Sequence, residues 1–90
     1  GNMWKAEALF AAAISPWRRL SELSDEQLRD LLATAARLMQ GPRGRHRVYR
    51  RAGRPCPRCG TLVRSYPQGD DARTAYWCPR CQAGTEPAGA

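Results

Sequence analysis

The chain has 90 residues, with 15 Lys and Arg against 8 Asp and Glu and a formal net charge of +7. At this length a hydrophobic core is marginal without a staple, so the expectation is one modest domain or two very small ones held by a metal or by disulfides. The basic balance favours a polyanionic partner; no apolar run is long enough to span a bilayer and no secretory leader is visible, so a membrane or secreted role is not expected.

From Gly1 to about Ile14, the apolar residues Met3, Ala6, Phe10, Ala13 and Ile14 recur at helical spacing and predict a first helix. Asn2 stands where an N-cap belongs, and Ser15-Pro16 breaks the run because proline cannot continue a helix. Ser24-Asp25-Glu26-Gln27 is a capping box with an acidic first turn, which predicts a second helix to about Gln40. Leu28, Leu31, Leu32, Ala35, Leu38 and Met39 form its apolar stripe, and Gly41-Pro42 stops it. The two helices carry more apolar surface than they can cover for one another. Met3, Trp4, Leu9, Phe10, Ile14, Trp17 and Leu20 need further partners, which predicts self-association or a partly molten state.

Residues 43–55 read as a basic linker, with Arg43, Arg45, Arg47, Arg50, Arg51 and Arg54 and no acid. Lys5 is the only lysine of the chain, so its positive charge is almost all arginine, whose planar fork suits phosphate. A solvated linker is the plain reading of this stretch and a phosphate-facing surface the sharper one. Thr61 to Tyr66 and Arg73 to Trp77 alternate and predict two strands, with Pro67-Gln68-Gly69-Asp70-Asp71 as the turn of a hairpin. The stretch 83–90 is small, contains Pro and Gly, and reads as a disordered tail. The fold class is therefore α+β: a small helical segment over 1–42, the linker 43–55, a four-cysteine β-hairpin over 56–82, and the tail.

Cys56, Cys59, Cys78 and Cys81 form two Cys-x2-Cys pairs with eighteen residues between them. Two residues between thiolates let both sulfurs of a tight turn face one ion, and the hairpin brings the second turn beside the first. Cys56-Pro57-Arg58-Cys59 and Cys78-Pro79-Arg80-Cys81 are near copies, each a knuckle with proline inside. The reading is one structural Zn2+, closed by four protein ligands and with no open position for catalysis. Two disulfides, or a redox pair, are the alternatives; the first needs an oxidising compartment and the second a helix opening at one pair.

Gly1-Asn2-Met3-Trp4-Lys5-Ala6-Glu7-Ala8-Leu9-Phe10 resembles the second half of a helix-two-turns-helix motif. Val48 to Cys56, followed by Arg73-Thr74-Ala75-Tyr76-Trp77-Cys78-Pro79-Arg80-Cys81-Gln82, resembles the zinc finger that ends the same proteins. The family is that of formamidopyrimidine-DNA glycosylase and endonuclease VIII, DNA repair enzymes that excise oxidised bases, and the resemblance covers about residues 1–82 in the right order. It implies that 1–42 is the C-terminal part of a helix-two-turns-helix DNA-binding domain. It implies that Asn2 meets a DNA phosphate at a helix N-terminus and that Arg73 grips the backbone around the flipped nucleotide. Glu7 matches a glutamate with a structural role, tying its helix to the neighbouring segment.

The family's nucleophile is an N-terminal proline amine followed by a glutamate, and the resemblance places both, with the N-terminal catalytic domain, outside this sequence. The expectation is a DNA-binding fragment with no catalytic residue of its own. Its parent would be a base-excision repair glycosylase with AP lyase activity, cytoplasmic and nucleoid-associated. Its partners would be damaged duplex DNA and the catalytic domain of the same protein, with no membrane and no small-molecule cofactor. A non-catalytic zinc-ribbon adaptor for protein or RNA is the alternative from a different class. Trp4, Trp17 and Trp77 are expected to pack rather than to stack on bases. Lys5 is read as an exposed helix lysine, and His46 as a loop histidine with no metal role.

Overall fold

A computed structural model describes residues 2–41, 44–69, 73–84 and 86–87. Helix α1 spans Asn2–Ala11, a 3-10 turn spans Leu20–Glu22, and helix α2 spans Asp25–Gln40. Strands β1 (Arg64–Gln68) and β2 (Arg73–Trp77) form one antiparallel two-stranded sheet, in a register that opposes Arg64 to Trp77 and Gln68 to Arg73.

Helix α2 starts where its capping box predicts. Ser24 Oγ accepts from the Gln27 N–H at 3.1 Å, and Gln27 Oε1 accepts from the Ser24 N–H at 3.0 Å. It ends at Gly41, whose φ of −79° is ordinary backbone and whose N–H bonds the Arg37 carbonyl at 3.0 Å. Pro42, the other half of the expected stop, lies outside the described residues.

Helix α1 ends three residues earlier than the periodicity predicts. The cause is a lock that turns the chain before Ser15-Pro16 is reached. Ala13 takes the left-handed conformation at φ 59°, its N–H bonds the Phe10 carbonyl at 3.1 Å, and the Ile14 N–H bonds the Leu9 carbonyl at 2.9 Å. This is the paired bonding of a Schellman motif, with Ile14 and Leu9 in one apolar cluster as the motif favours, but with alanine where glycine is usual. At the other end, Asn2 is already helical rather than the residue before the helix. Its side chain does not serve the expected cap; the amide Nδ2 donates to the Thr74 carbonyl at 2.8 Å.

Strand β1 is displaced from the expected 61–66 to 64–68, so Pro67 and Gln68 belong to the strand and not to the turn. A two-stranded sheet leaves the outer edge of each strand unpaired, so a proline without an N–H is tolerated there. Asp70 and Asp71, expected within the turn, lie outside the described residues.

Two apolar clusters hold the molecule together. Ala8, Leu9, Ile14 and Leu31 join the two helices. Ala6 and Phe10, from the same helix α1, pack with Val48, Cys56, Val63 and Cys78. Part of the apolar surface that two helices could not cover for each other is thus covered by the cysteine region, and Phe10 is only 1 % exposed. Within the stretch expected as a tail, Glu86 is described and bonded. Glu86 accepts from the Trp77 indole at 3.0 Å and from Arg64 at 3.1 Å. Leu20, Leu32, Met39 and Leu62 stay exposed.

Candidate metal centre and nucleic-acid edge

The four cysteine sulfurs lie within 4.8 Å of one another, and all four cysteines are free thiols. Cys59 and Cys78 sulfurs are 3.4 Å apart, Cys56 and Cys81 sulfurs 3.9 Å. A tetrahedron of sulfurs at ~2.3 Å from zinc has edges of about 3.8 Å, whereas a disulfide needs about 2.05 Å. The distances fit one zinc and no disulfide.

Backbone bonds shape both knuckles. In the first, Gly60 N–H donates to the Cys56 carbonyl at 2.8 Å, and the chain can turn there because Gly60 takes φ 83°. Cys56 N–H donates to the Thr61 carbonyl at 2.7 Å, and Arg58 N–H points at the Cys56 sulfur at 3.3 Å. In the second, Gln82 N–H donates to the Cys78 carbonyl at 2.9 Å and Cys81 N–H points at the Cys78 sulfur at 3.4 Å. Such N–H···S contacts favour thiolate, the ligand form. The thiols differ without metal. The Thr61 hydroxyl and N–H, donating to the Cys59 sulfur, bring that thiol down to about 6. Burial pushes Cys81 up to about 12 and raises Cys78 as well, so a metal must displace their protons.

Arg58 does not face the sulfurs. Its guanidinium lies 4.4 Å over the Phe10 ring and donates to the Phe10 carbonyl at 3.4 Å. His46 packs edge-on to Tyr49 at 5.4 Å.

The segment expected as a linker is fastened to α1. Glu7, only 6 % exposed, accepts three backbone N–H bonds: from Arg47 at 2.8 Å, Val48 at 2.9 Å and Tyr49 at 3.1 Å. This is the tying role that the resemblance implies for Glu7. Val48 is fully buried as a result, while Arg45, Arg47, Arg50 and Arg54 remain exposed. Arg43 lies outside the described residues. A groove of about 700 Å³ opens along this segment, lined among others by Met3, Trp4, Arg37, Arg45, His46 and Arg47. Trp17 and Trp77 pack edge-on at 5.5 Å, as expected of core aromatics, but half-buried Trp4 lines the groove.

Asn2 and Arg73 are far apart in sequence and adjacent in space. The Asn2 amide holds the carbonyl of Thr74, the residue after Arg73. Exposed Arg73 opposes Gln68 across the hairpin, and Gln68 Oε1 accepts from Lys5 Nζ at 2.6 Å. The Gln68 amide also donates to the Pro16 carbonyl at 2.8 Å. Lys5 and Gln68 therefore share the edge with the two predicted residues. Sequence reasoning set Lys5 aside and placed Gln68 in a turn; neither residue carries a local sequence signal for this edge.

Residues 53–84 match a family model described as the zinc finger found in FPG and IleRS. The chain is 40% identical over 101 residues to a probable endonuclease 8 2 of Streptomyces coelicolor, an alignment covering 97% of this chain and 37% of that protein. It is 37% identical over 106 residues to formamidopyrimidine-DNA glycosylase of Thermus thermophilus, covering 91% and 39%. The crystal structure of the MutM (Fpg) protein of Thermus thermophilus superposes with a TM-score of 0.78 at 30% identity, covering 96% of this chain and 40% of that one. Lactococcus lactis Fpg in complex with an oxidised-pyrimidine-containing DNA shares the fold, with a TM-score of 0.80 at 24% identity, over 93% of this chain and 36% of that one. The chain thus spans a little over a third of the length of the relatives it matches.

Proposed function

This chain carries the C-terminal region of the formamidopyrimidine-DNA glycosylase and endonuclease VIII family, and we propose that it grips the sugar-phosphate backbone of damaged duplex DNA for an enzyme that excises oxidised bases. The observation that carries this reading is the Asn2–Thr74 bond, which holds the N-terminus of α1 beside the strand that begins with Arg73. A helix N-terminus offers N–H groups without intrahelical partners and a partial positive charge. The second hydrogen of the half-buried Asn2 amide adds a neutral donor, and the exposed Arg73 guanidinium adds a cationic one. This is a phosphate-binding surface with little capacity to read sequence.

The zinc has a structural part: it fixes the hairpin that presents Arg73. The parent enzyme combines glycosylase and AP lyase activity through the family's proline amine and glutamate. The part assigned to the residues of this region is to hold the DNA.

The test is fluorescence anisotropy of the zinc-loaded chain with a duplex carrying an abasic-site analogue and with the intact duplex. The expected result is tighter binding of the abasic duplex, with affinity falling steeply between 50 and 200 mM salt, as for any complex built on about two or more phosphate contacts. Equal binding of the two duplexes, or capture of RNA or protein in preference to DNA, would favour a zinc-ribbon adaptor instead.

A further inference from the structure

We propose that Gln82 is a positioning residue that couples the second zinc knuckle to the end of α1, and through α1 to the edge formed by Asn2 and Arg73. Gln82 is a polar side chain with only 1 % exposure. Its Oε1 accepts from the Cys78 N–H at 2.9 Å, and its Nε2 donates to the Ile14 carbonyl at 2.9 Å. One amide therefore closes the knuckle on one side and holds the turn beyond α1 on the other. Its orientation is dictated by its partners, since a flipped amide would set oxygen against carbonyl and N–H against N–H.

The first knuckle reaches the same place. Arg58 donates to the Phe10 carbonyl in the last turn of α1 and covers the Phe10 ring. Both knuckles thus hold the C-terminal end of a ten-residue helix, a stiff rod of about 15 Å. The other end of that rod carries Asn2, whose amide holds the Thr74 carbonyl, and the strand containing Thr74 runs directly into Cys78. The path from Cys78 through Gln82, Ile14, α1, Asn2 and Thr74 returns to Cys78. Order at the metal centre is transmitted around this closed ring by two side-chain amides, Gln82 and Asn2. The arm from knuckle to helix stands on these bonds alone; the arm to DNA rests on the function proposed above.

The test uses the 90-residue chain with Gln82→Met, which keeps the length of the side chain and removes both bonds. Three quantities are read: zinc release to a chromophoric chelator, backbone amide exchange at Ala12, Ala13 and Ile14, and affinity for the abasic duplex across salt. Zinc-loaded Gln82→Met is expected to release metal about 10-fold faster, the scale of a lost partner just outside the ligands. The amides of residues 12–14 are expected to exchange about 10-fold faster while those in the middle of α2 stay unchanged. DNA affinity is expected to fall about 5-fold with the salt slope unchanged, because no phosphate contact has been removed.

Unchanged exchange at 12–14 in the zinc-loaded variant would overturn the coupling to α1. An affinity loss that comes with a reduced salt slope would overturn the positioning role, since it would mark Gln82 as a phosphate contact. If Gln82→Met fails to load zinc, Arg58→Met tests the parallel link from the exposed surface. A rise of about 3-fold in exchange at 12–14 is then expected, and no rise would overturn the inference. If the unmodified chain does not prefer the abasic duplex, the DNA reading fails, and the exchange measurement decides the coupling by itself.

Discussion

Glu7→Gln isolates the tie between α1 and the basic segment with almost no change of shape. The carboxylate accepts three backbone N–H groups at 2.8, 2.9 and 3.1 Å, one on Oε1 and two on Oε2. The amide can accept at only one oxygen. If that oxygen takes the pair from Val48 and Tyr49, its NH2 group faces the Arg47 N–H; if it takes Arg47, both other donors are left facing an NH2. The better choice still converts two charge-assisted bonds into neutral ones and leaves one donor without an acceptor in a part-buried site. With hydrogen bonds to charged groups contributing ~1.5–3 kcal/mol and an unsatisfied donor costing ~1–3 kcal/mol, the net loss is about 2–3 kcal/mol. In a chain of this size that corresponds to a melting point lower by roughly 10–20 °C. The assay is thermal unfolding of the zinc-loaded chain by near-UV circular dichroism, with metal content checked before and after. Glu7→Gln melting within about 2 °C of the parent would refute the idea that a buried carboxylate organises residues 47–49.

Further outcomes follow from other contacts. Ala13→Gly removes the strain of a left-handed alanine at φ 59° and is expected to stabilise the chain by about 0.5–1 kcal/mol, read as a higher denaturant midpoint with an unchanged slope. Complete chelation is expected to unfold the cysteine region and expose Phe10 and Val48, so near-UV dichroism should collapse together with the Trp77 environment; a preserved spectrum would argue against a structural metal. Zinc should be released as pH falls, because protons compete for the thiolates. Thr61→Val removes the hydroxyl that favours Cys59 thiolate, so its release midpoint should move to higher pH; a midpoint unmoved or lowered would contradict the assigned role.

Local signals were legible where they are self-contained. The Ser24–Gln27 box opens α2 because both of its bonds lie within four residues. The four cysteines declare their site through spacing, and β2 starts and ends as its alternation predicts. Most of the misreadings involve partners distant in sequence. Nothing near Gln82 marks it as a clamp, since its partner Ile14 is 68 residues away. Asn2 resembles a cap until Thr74 is brought beside it, and Glu86 resembles tail until Trp77 and Arg64 meet it. The end of α1 was misplaced because a left-handed alanine leaves no trace in an apolar pattern that continues to Ile14. Asn2 and Arg73 as phosphate contacts were reached only through the family resemblance, because neither spacing nor composition distinguishes them from a helix cap and a solvated hairpin arginine.

The most direct test of the central claim is the salt dependence of abasic-duplex binding for the parent chain and for Arg73→Ala. If the zinc-held hairpin presents Arg73 to a phosphate beside Asn2, the substitution weakens binding and lowers the magnitude of the log–log salt slope by about 1, measured on chains loaded with equal zinc. An Arg73→Ala chain that binds the abasic duplex with the parent's affinity and slope would contradict the account.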